Sequence, residues 1–344
     1  MDPFINPRNL QDASTARLLI AITFHFVPGR IGYLEKVLQS LAAFPVAQRD
    51  IVVFTNTTDP VQQGDIRRVF EATGLIDGRD ARCDVVQGLA HPYNLTWAHK
   101  KLIPESFLAS GSPYSHFIYL EDDEQLTFEG FAYFLAARKI LLDFGLIPAF
   151  LRVEWNANEK YYVNTDNIAP VDLANRPFIS NGACAFIEPD NPYSGSFILD
   201  QDLAREYVAS RSFHLERSCE MSSWNVRERA AMGLTFENPP APFIYRTVVP
   251  VSVASRTAPE CAWLAHLPNN HISNLKTRFG KIPMTKLFTG DFDMSETAQS
   301  LPREHPPYKL YAMKRWSAKN MLRSLLAGKL KIKIVLKRLF PSNR

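Results

Sequence analysis

The chain has 344 residues, 46% of them hydrophobic, and a formal net charge of +4 at pH 7. That is ample material for one large domain with an appendage, and too little charge for a generic polyanion binder. Its cysteines, Cys83, Cys184, Cys219 and Cys261, stand far apart with no C-x-x-C pair, which argues against a zinc site and a disulfide framework and favours a reducing compartment. Residues 1–16 form a polar N-terminal extension without a signal-peptide core, and Leu18 to Phe24 is too short to span a bilayer, so the sequence reads as cytoplasmic.

From residue 17 to 127 apolar runs and helical patterns alternate. Leu18–Phe24 reads as a buried strand, followed by a turn at Val27–Arg30 and a helix at Tyr33–Leu41. Asp50–Asn56 is the second strand, Asp65–Thr73 the second helix and Cys83–Val86 the third strand. Thr96–Leu108 is mostly helical and leads to Phe117–Leu120, a continuous apolar run of the kind buried on both faces of a sheet. Such alternation predicts an α/β fold, with a mainly parallel Rossmann-type sheet and helices on both faces.

The run ends abruptly in Glu121, Asp122, Asp123 and Glu124. Four adjacent carboxylates repel one another, so a cation is expected to hold them together at neutral pH. Carboxylates at the C-terminal end of a buried strand stand where open α/β sheets bind ligands, and hard oxygen donors suit Mg²⁺ or Mn²⁺. A solvated acidic turn is the plainer alternative.

Residues 128–300 form the second half of the same domain. Phe128–Phe144 is a helix and Phe150–Trp155 a strand. Phe178–Ile187 is a strand in which Asn181-Gly182 allows close backbone approach, and Ser218–Met232 is a helix with Ser218 as N-cap and Gly233 just past its end. Residues 301–344 form a basic amphipathic tail. Between Lys314 and Phe340 it carries Lys314, Arg315, Lys319, Arg323, Lys329, Lys331, Lys333, Lys337 and Arg338, with leucines interleaved and no acidic residue. This pattern fits an anionic membrane surface better than nucleic acid, which calls for more stacking aromatics; a plain solvated helix is the other reading.

The acidic run after a βαβα unit resembles the D-x-D-type motif of GT-A glycosyltransferases, here Glu121-Asp122-Asp123 with Glu in the first position. A second stretch, Glu220-Met221-Ser-Ser-Trp224-Asn-Val-Arg227 with Gly233 beyond, resembles the catalytic helix of inverting family 2 enzymes of bacterial polysaccharide synthesis. Met221 replaces the Asp that serves there as base. The resemblance implies transfer of a sugar from a nucleotide-diphosphate donor to a glycan or lipid-linked acceptor in surface polysaccharide synthesis. The enzyme would be peripherally associated with the inner face of the membrane through the basic tail. It implies Mn²⁺ or Mg²⁺ on Asp123, Glu121 and His266, with His266 favoured over His271 because it directly follows an apolar stretch. Glu220 is the nearest base candidate, with Glu216 and Glu228 behind it; each is equally readable as a surface glutamate.

Donor contacts are expected at strand ends: Thr23, His25 and Arg30 after the first strand, Asn56 after the second, and Glu121 and Asp122 in the acidic run. Lys100 is a candidate for a phosphate contact and Tyr93 or Trp97 for stacking on a base, the plainer alternative being that Trp97 is core and Lys100 solvated. No Walker loop and no G-x-G-x-x-G follows the first strand, which disfavours kinases and dinucleotide oxidoreductases. A sugar nucleotidyltransferase and a non-catalytic glycan-binding scaffold are the rival readings.

Overall fold

The structure, a computed structural model, describes residues 2–174, 176–222, 224–294, 299–300 and 309–311. The basic stretch from Lys314 to Phe340 lies outside the described residues. The fold is mixed α/β, and its first sheet is mainly parallel.

Helix α1 (Pro7–Ser14) is capped by Asn6, whose side chain accepts from the Asn9 amide at 3.0 Å. Strand β1 (Arg17–Phe24) is buried at every position from Leu18 onward, as its unbroken apolar run requires. Helix α2 (Ile31–Ala42), strand β2 (Gln48–Thr55), helix α3 (Pro60–Ala72) and strand β3 (Ala81–Val85) follow. Helix α3 begins five residues before the expected Asp65, because Asp59 caps the Val61 amide and Pro60 suits the first helical position. A 3₁₀ stretch at Pro92–Lys101 and a wide turn at Ile103–Phe107 replace the single helix expected there. Strand β4 (His116–Glu121) then delivers the acidic run, and β5 (Glu124–Gln125) follows it at once.

After α4 (Phe128–Leu141) come short strands β6 (Ile147–Pro148), β7 (Leu151–Asn156), β8 (Tyr161–Asn164) and β9 (Val171–Asp172). The expected single strand at Phe178–Ile187 is a hairpin of β10 (Phe178–Ser180) and β11 (Cys184–Ile187). Asn181 accepts the amides of Ala183 and Cys184 and Gly182 takes φ +88°, so Asn-Gly makes a turn instead of continuing the strand. Strand β12 (Ser196–Asp200), helices α5 (Gln201–Ala209) and α6 (Val226–Ala230), strands β13 (Thr247–Ser252) and β14 (Trp263–His266) and helix α7 (Asn270–Ser273) complete the frame.

Two pairings position the site. The first sheet has the order β12-β4-β1-β2-β3, and β12 returns antiparallel to β4 with Ser196 opposite Leu120. This carries Tyr193 and Gly195 beneath the acidic run. In another sheet β14 lies parallel to β7 and antiparallel to β5, with His266 opposite Glu124. A histidine more than a hundred residues away is thereby fixed beside the acids, and the Leu267 amide donates to the Asp123 carbonyl at 2.9 Å.

The expected helix from Ser218 to Met232 is broken. A 3₁₀ turn at Arg217–Glu220 ends, and α6 starts afresh at Val226. Asn225 causes the restart: its side chain accepts the amides of Arg227 and Glu228, while the Glu228 carboxylate accepts the Asn225 amide, a reciprocal capping box. Glu220, Trp224 and Arg227 therefore do not lie along one helix.

Candidate functional site

At the C-terminal ends of β1 and β4 the chain encloses a cleft of about 760 Å³. Glu121, Asp122 and Asp123 form part of one wall, with Arg30, Arg152 and His266 around them. The carboxylates that the sequence leaves unpaired are held by named partners. Arg30 donates from Nε and Nη2 to the two oxygens of Asp122, each at 2.8 Å, and from Nη2 to Asp123 Oδ2 at 2.8 Å. Tyr193 Oη donates to Glu121 Oε1 at 2.8 Å, and Arg152 Nη1 to Glu124 Oε1 at 3.1 Å. The cations that hold the acidic run here are thus two arginines.

Burial still dominates the electrostatics. It pushes Asp122 up to about 7 against the pull of Arg30, and it also raises Glu121, with the Asp123 charge adding to the rise. Glu124 is driven well up by burial, and Arg152 offsets only part of that. Burial works against the Arg30 charge, but its hydrogen bond to Asp122 and the field of both aspartates outweigh it and raise its pKa.

Two oxygens of the acidic run, Asp123 Oδ1 in the cleft wall and Glu124 Oε2 buried behind it, make no hydrogen bond. A buried carboxylate oxygen without a donor is costly, so each is a place where a further ligand would be stabilised. The geometry of His266 points the same way. Its Nδ1 is 2.7 Å from Glu154 Oε1, and its Nε2 is 3.7 Å from Asp123 Oδ2. Glu154 is 1% exposed. Despite burial, the bond from His266 and the amides of Ile272 and His271 hold its carboxyl below the usual range. An ionised Glu154 can only accept, so the proton of that bond sits on Nδ1, and Nε2 is the nitrogen that faces Asp123. A carboxylate that fixes the far nitrogen of a histidine is the arrangement that orients imidazole ligands on metals. Asp123, Glu124 and His266 present ligand atoms within 4.8 Å of one another. One imidazole and carboxylate oxygens suit Mn²⁺, and the oxygens alone suit Mg²⁺, so the donor set fits a divalent cation.

The remaining expected residues divide. Thr23, His25, Arg30 and Tyr93 line the cleft, Thr23 bonding Tyr119 Oη at 3.0 Å. Asn56 stands in an adjoining depression of about 350 Å³ that shares His25 with the cleft. Its Oδ1 accepts the Phe26 amide at 3.0 Å. Lys100 is corrected: it does not reach the cleft. It is 5% exposed, its Nζ donates to the Ser212 carbonyl at 2.6 Å and the Phe213 carbonyl at 3.2 Å, and it lies 3.7 Å from the centre of the Trp97 ring. Burial, helped by Arg229, pushes its pKa well down. Trp97 is core, donating from Nε1 to the Val226 carbonyl. Of the three base candidates only Glu228 lines the cleft; Glu216 is exposed just before the 3₁₀ turn and Glu220 ends it.

Sequence reasoning missed Glu154, Arg152 and Tyr193. Arg152 and Glu154 alternate within an apolar strand, so their side chains share one face, a signal present in Leu151-Arg-Val-Glu-Trp155. Gly195 is also part of the design: it takes φ +66°, and a Cβ there would stand 2.6 Å from Glu124 Oε1. Compared with known proteins, the chain matches no family model and no curated protein.

Proposed function

We propose that the chain is a metal-dependent glycosyltransferase with a GT-A-like fold, moving a sugar from a nucleotide-diphosphate donor to a glycan or lipid-linked acceptor. The observation that carries this reading is the unpartnered Asp123 Oδ1 beside a histidine clamped by Glu154, at a strand end in a large cleft. Asp123 and His266 would hold Mn²⁺ or Mg²⁺, with Glu124 beside them. When bound, the ion would neutralise charge developing on the leaving diphosphate. Arg227, half-exposed in the lining of the cleft with its guanidinium 5.6 Å from the Tyr93 ring centre, supports binding of an anionic donor. Membrane association through the basic stretch from Lys314 to Phe340 belongs to the same proposal. Sedimentation of the full chain with anionic liposomes, weakened by added salt, would support it; binding insensitive to salt would not.

Glu228 is the base this geometry favours. Its carboxylate would take the proton of the acceptor hydroxyl as that oxygen bonds to the anomeric carbon and the bond to the diphosphate breaks. Glu228→Gln keeps an oxygen for the Asn225 amide, so α6 stays capped. The substitution is expected to lower kcat by about 100-fold or more with donor KM nearly unchanged. Steady-state kinetics check this, and full turnover in the variant would remove Glu228 from the chemistry.

A further inference from the structure

Arg30 is bonded to the same carboxylate that a cation ligated by Asp123 would use. It stands in the 3₁₀ turn Pro28–Arg30 that follows β1. Its guanidinium bridges the two aspartates through one nitrogen, Nη2, at 2.8 Å from Asp122 Oδ1 and 2.8 Å from Asp123 Oδ2. That Asp123 oxygen is the one His266 Nε2 approaches at 3.7 Å. The aspartate side chains are 7% and 6% exposed while that of Arg30 is 35% exposed, so the arginine lies on the open side of a buried acidic pair. Nothing lies within 4 Å of where a Cβ on neighbouring Gly29 would be, so the turn has room around it. A divalent ion on Asp123, at the free Oδ1 or at Oδ2 beside His266, would stand close to a guanidinium already bonded to that carboxylate, and the two positive charges repel. A guanidinium freed at the cleft mouth has a donor fork matched to phosphate oxygens.

We propose that Arg30 is a resident counter-cation and positioning residue that makes cation binding and diphosphate binding depend on each other. In the metal-free protein it neutralises Asp122 and Asp123. Once Asp123 is given over to a divalent cation, Arg30 turns outward onto a phosphate oxygen of a nucleoside diphosphate. The inference rests on the metal reading above and goes beyond it, since a metal site alone requires no such exchange. Because linkage is reciprocal, a diphosphate that recruits Arg30 must tighten cation binding by the factor by which the cation tightens diphosphate binding.

The test titrates Mn²⁺ into the full chain, following loss of the free-ion electron paramagnetic resonance signal, without nucleotide and with UDP, GDP, ADP and CDP in turn. Arg30→Met is expected to bind Mn²⁺ alone about tenfold more tightly than wild type, the ordinary scale of such coupling. After the Mn²⁺ that free nucleotide chelates is subtracted with protein-free titrations, a diphosphate should tighten Mn²⁺ binding more in wild type than in Arg30→Met, where only the direct contact of ion and phosphate remains. Arg30→Lys, which restores a cation without the fork, should fall between them and stands in if the Met variant folds only with metal. Mn²⁺ affinity in Arg30→Met equal to or below that of wild type, or nucleotide coupling of equal size in both, overturns the role of Arg30 while the metal reading stands. Absence of Mn²⁺ uptake by every protein under every condition removes the metal reading and this inference with it.

Discussion

Asp123→Ala is expected to abolish Mn²⁺ binding and to lower sugar transfer by about 10²- to 10³-fold or more, the scale seen when a group stabilising developing charge is lost. The fold should survive. Asp123 contributes a carboxylate whose Oδ1 has no hydrogen-bond donor, and after burial its charge is among the causes that raise Glu121, Asp122 and Glu124. Its removal therefore relieves repulsion among its neighbours, and Arg30 keeps both bonds to Asp122. Circular dichroism and thermal denaturation establish that the variant is native, and Mn²⁺ titration then gives the decisive comparison. A native Asp123→Ala protein that binds Mn²⁺ as wild type does would place the cation elsewhere.

Arg152→Met is expected to have the largest effect on stability, a loss of about 3–5 kcal/mol, because it strips the partner from charges held in the interior. The Arg152 side chain is 8% exposed, between Glu124 at 0% and Asp166 at 7%. It bonds Asp166 through Nη2 at 2.7 Å and Nε at 3.2 Å, and its guanidinium lies 4.8 Å from the centre of the Tyr193 ring. Methionine fills similar volume and supplies no donor, leaving Glu124 with both oxygens unpartnered. Urea denaturation with an unchanged m-value is the appropriate measure. A midpoint shift worth less than about 1 kcal/mol would show that the two carboxylates find other partners or take up protons without penalty.

These two residues also show where the sequence was legible. The strand that leads to Asp123 is legible, since Phe117–Leu120 is an unbroken apolar run that stops at four acids, and the observed β4 ends at Glu121, two residues before Asp123. The βα alternation before it was readable for the same reason: a buried parallel strand leaves a local pattern. Arg152 and His266 reach the acids by other means. They are carried by β7 and β14, which reach the acidic run through the pairing of β14 with β5, a span of over a hundred residues. No local periodicity encodes such a partner.

The place of Lys100 is hidden for a related reason. Its neighbours are polar and aromatic in sequence, and only the tertiary fold shows that the carbonyls of Ser212 and Phe213 receive its amine. The broken helix is different, because its cause was present in the text. Asn225-Val-Arg-Glu228 carries the spacing of a capping box, and the apolar periodicity that runs through it obscured the restart.

The central proposal is tested most directly by incubating the purified full chain with a panel of nucleotide sugars in Mn²⁺ and measuring released nucleoside diphosphate, with and without EDTA. The proposed activity predicts release from a preferred donor, stimulated by an acceptor, that disappears in excess EDTA and in Asp123→Ala. Absence of both binding and release across the panel, or release undiminished by EDTA, would contradict it.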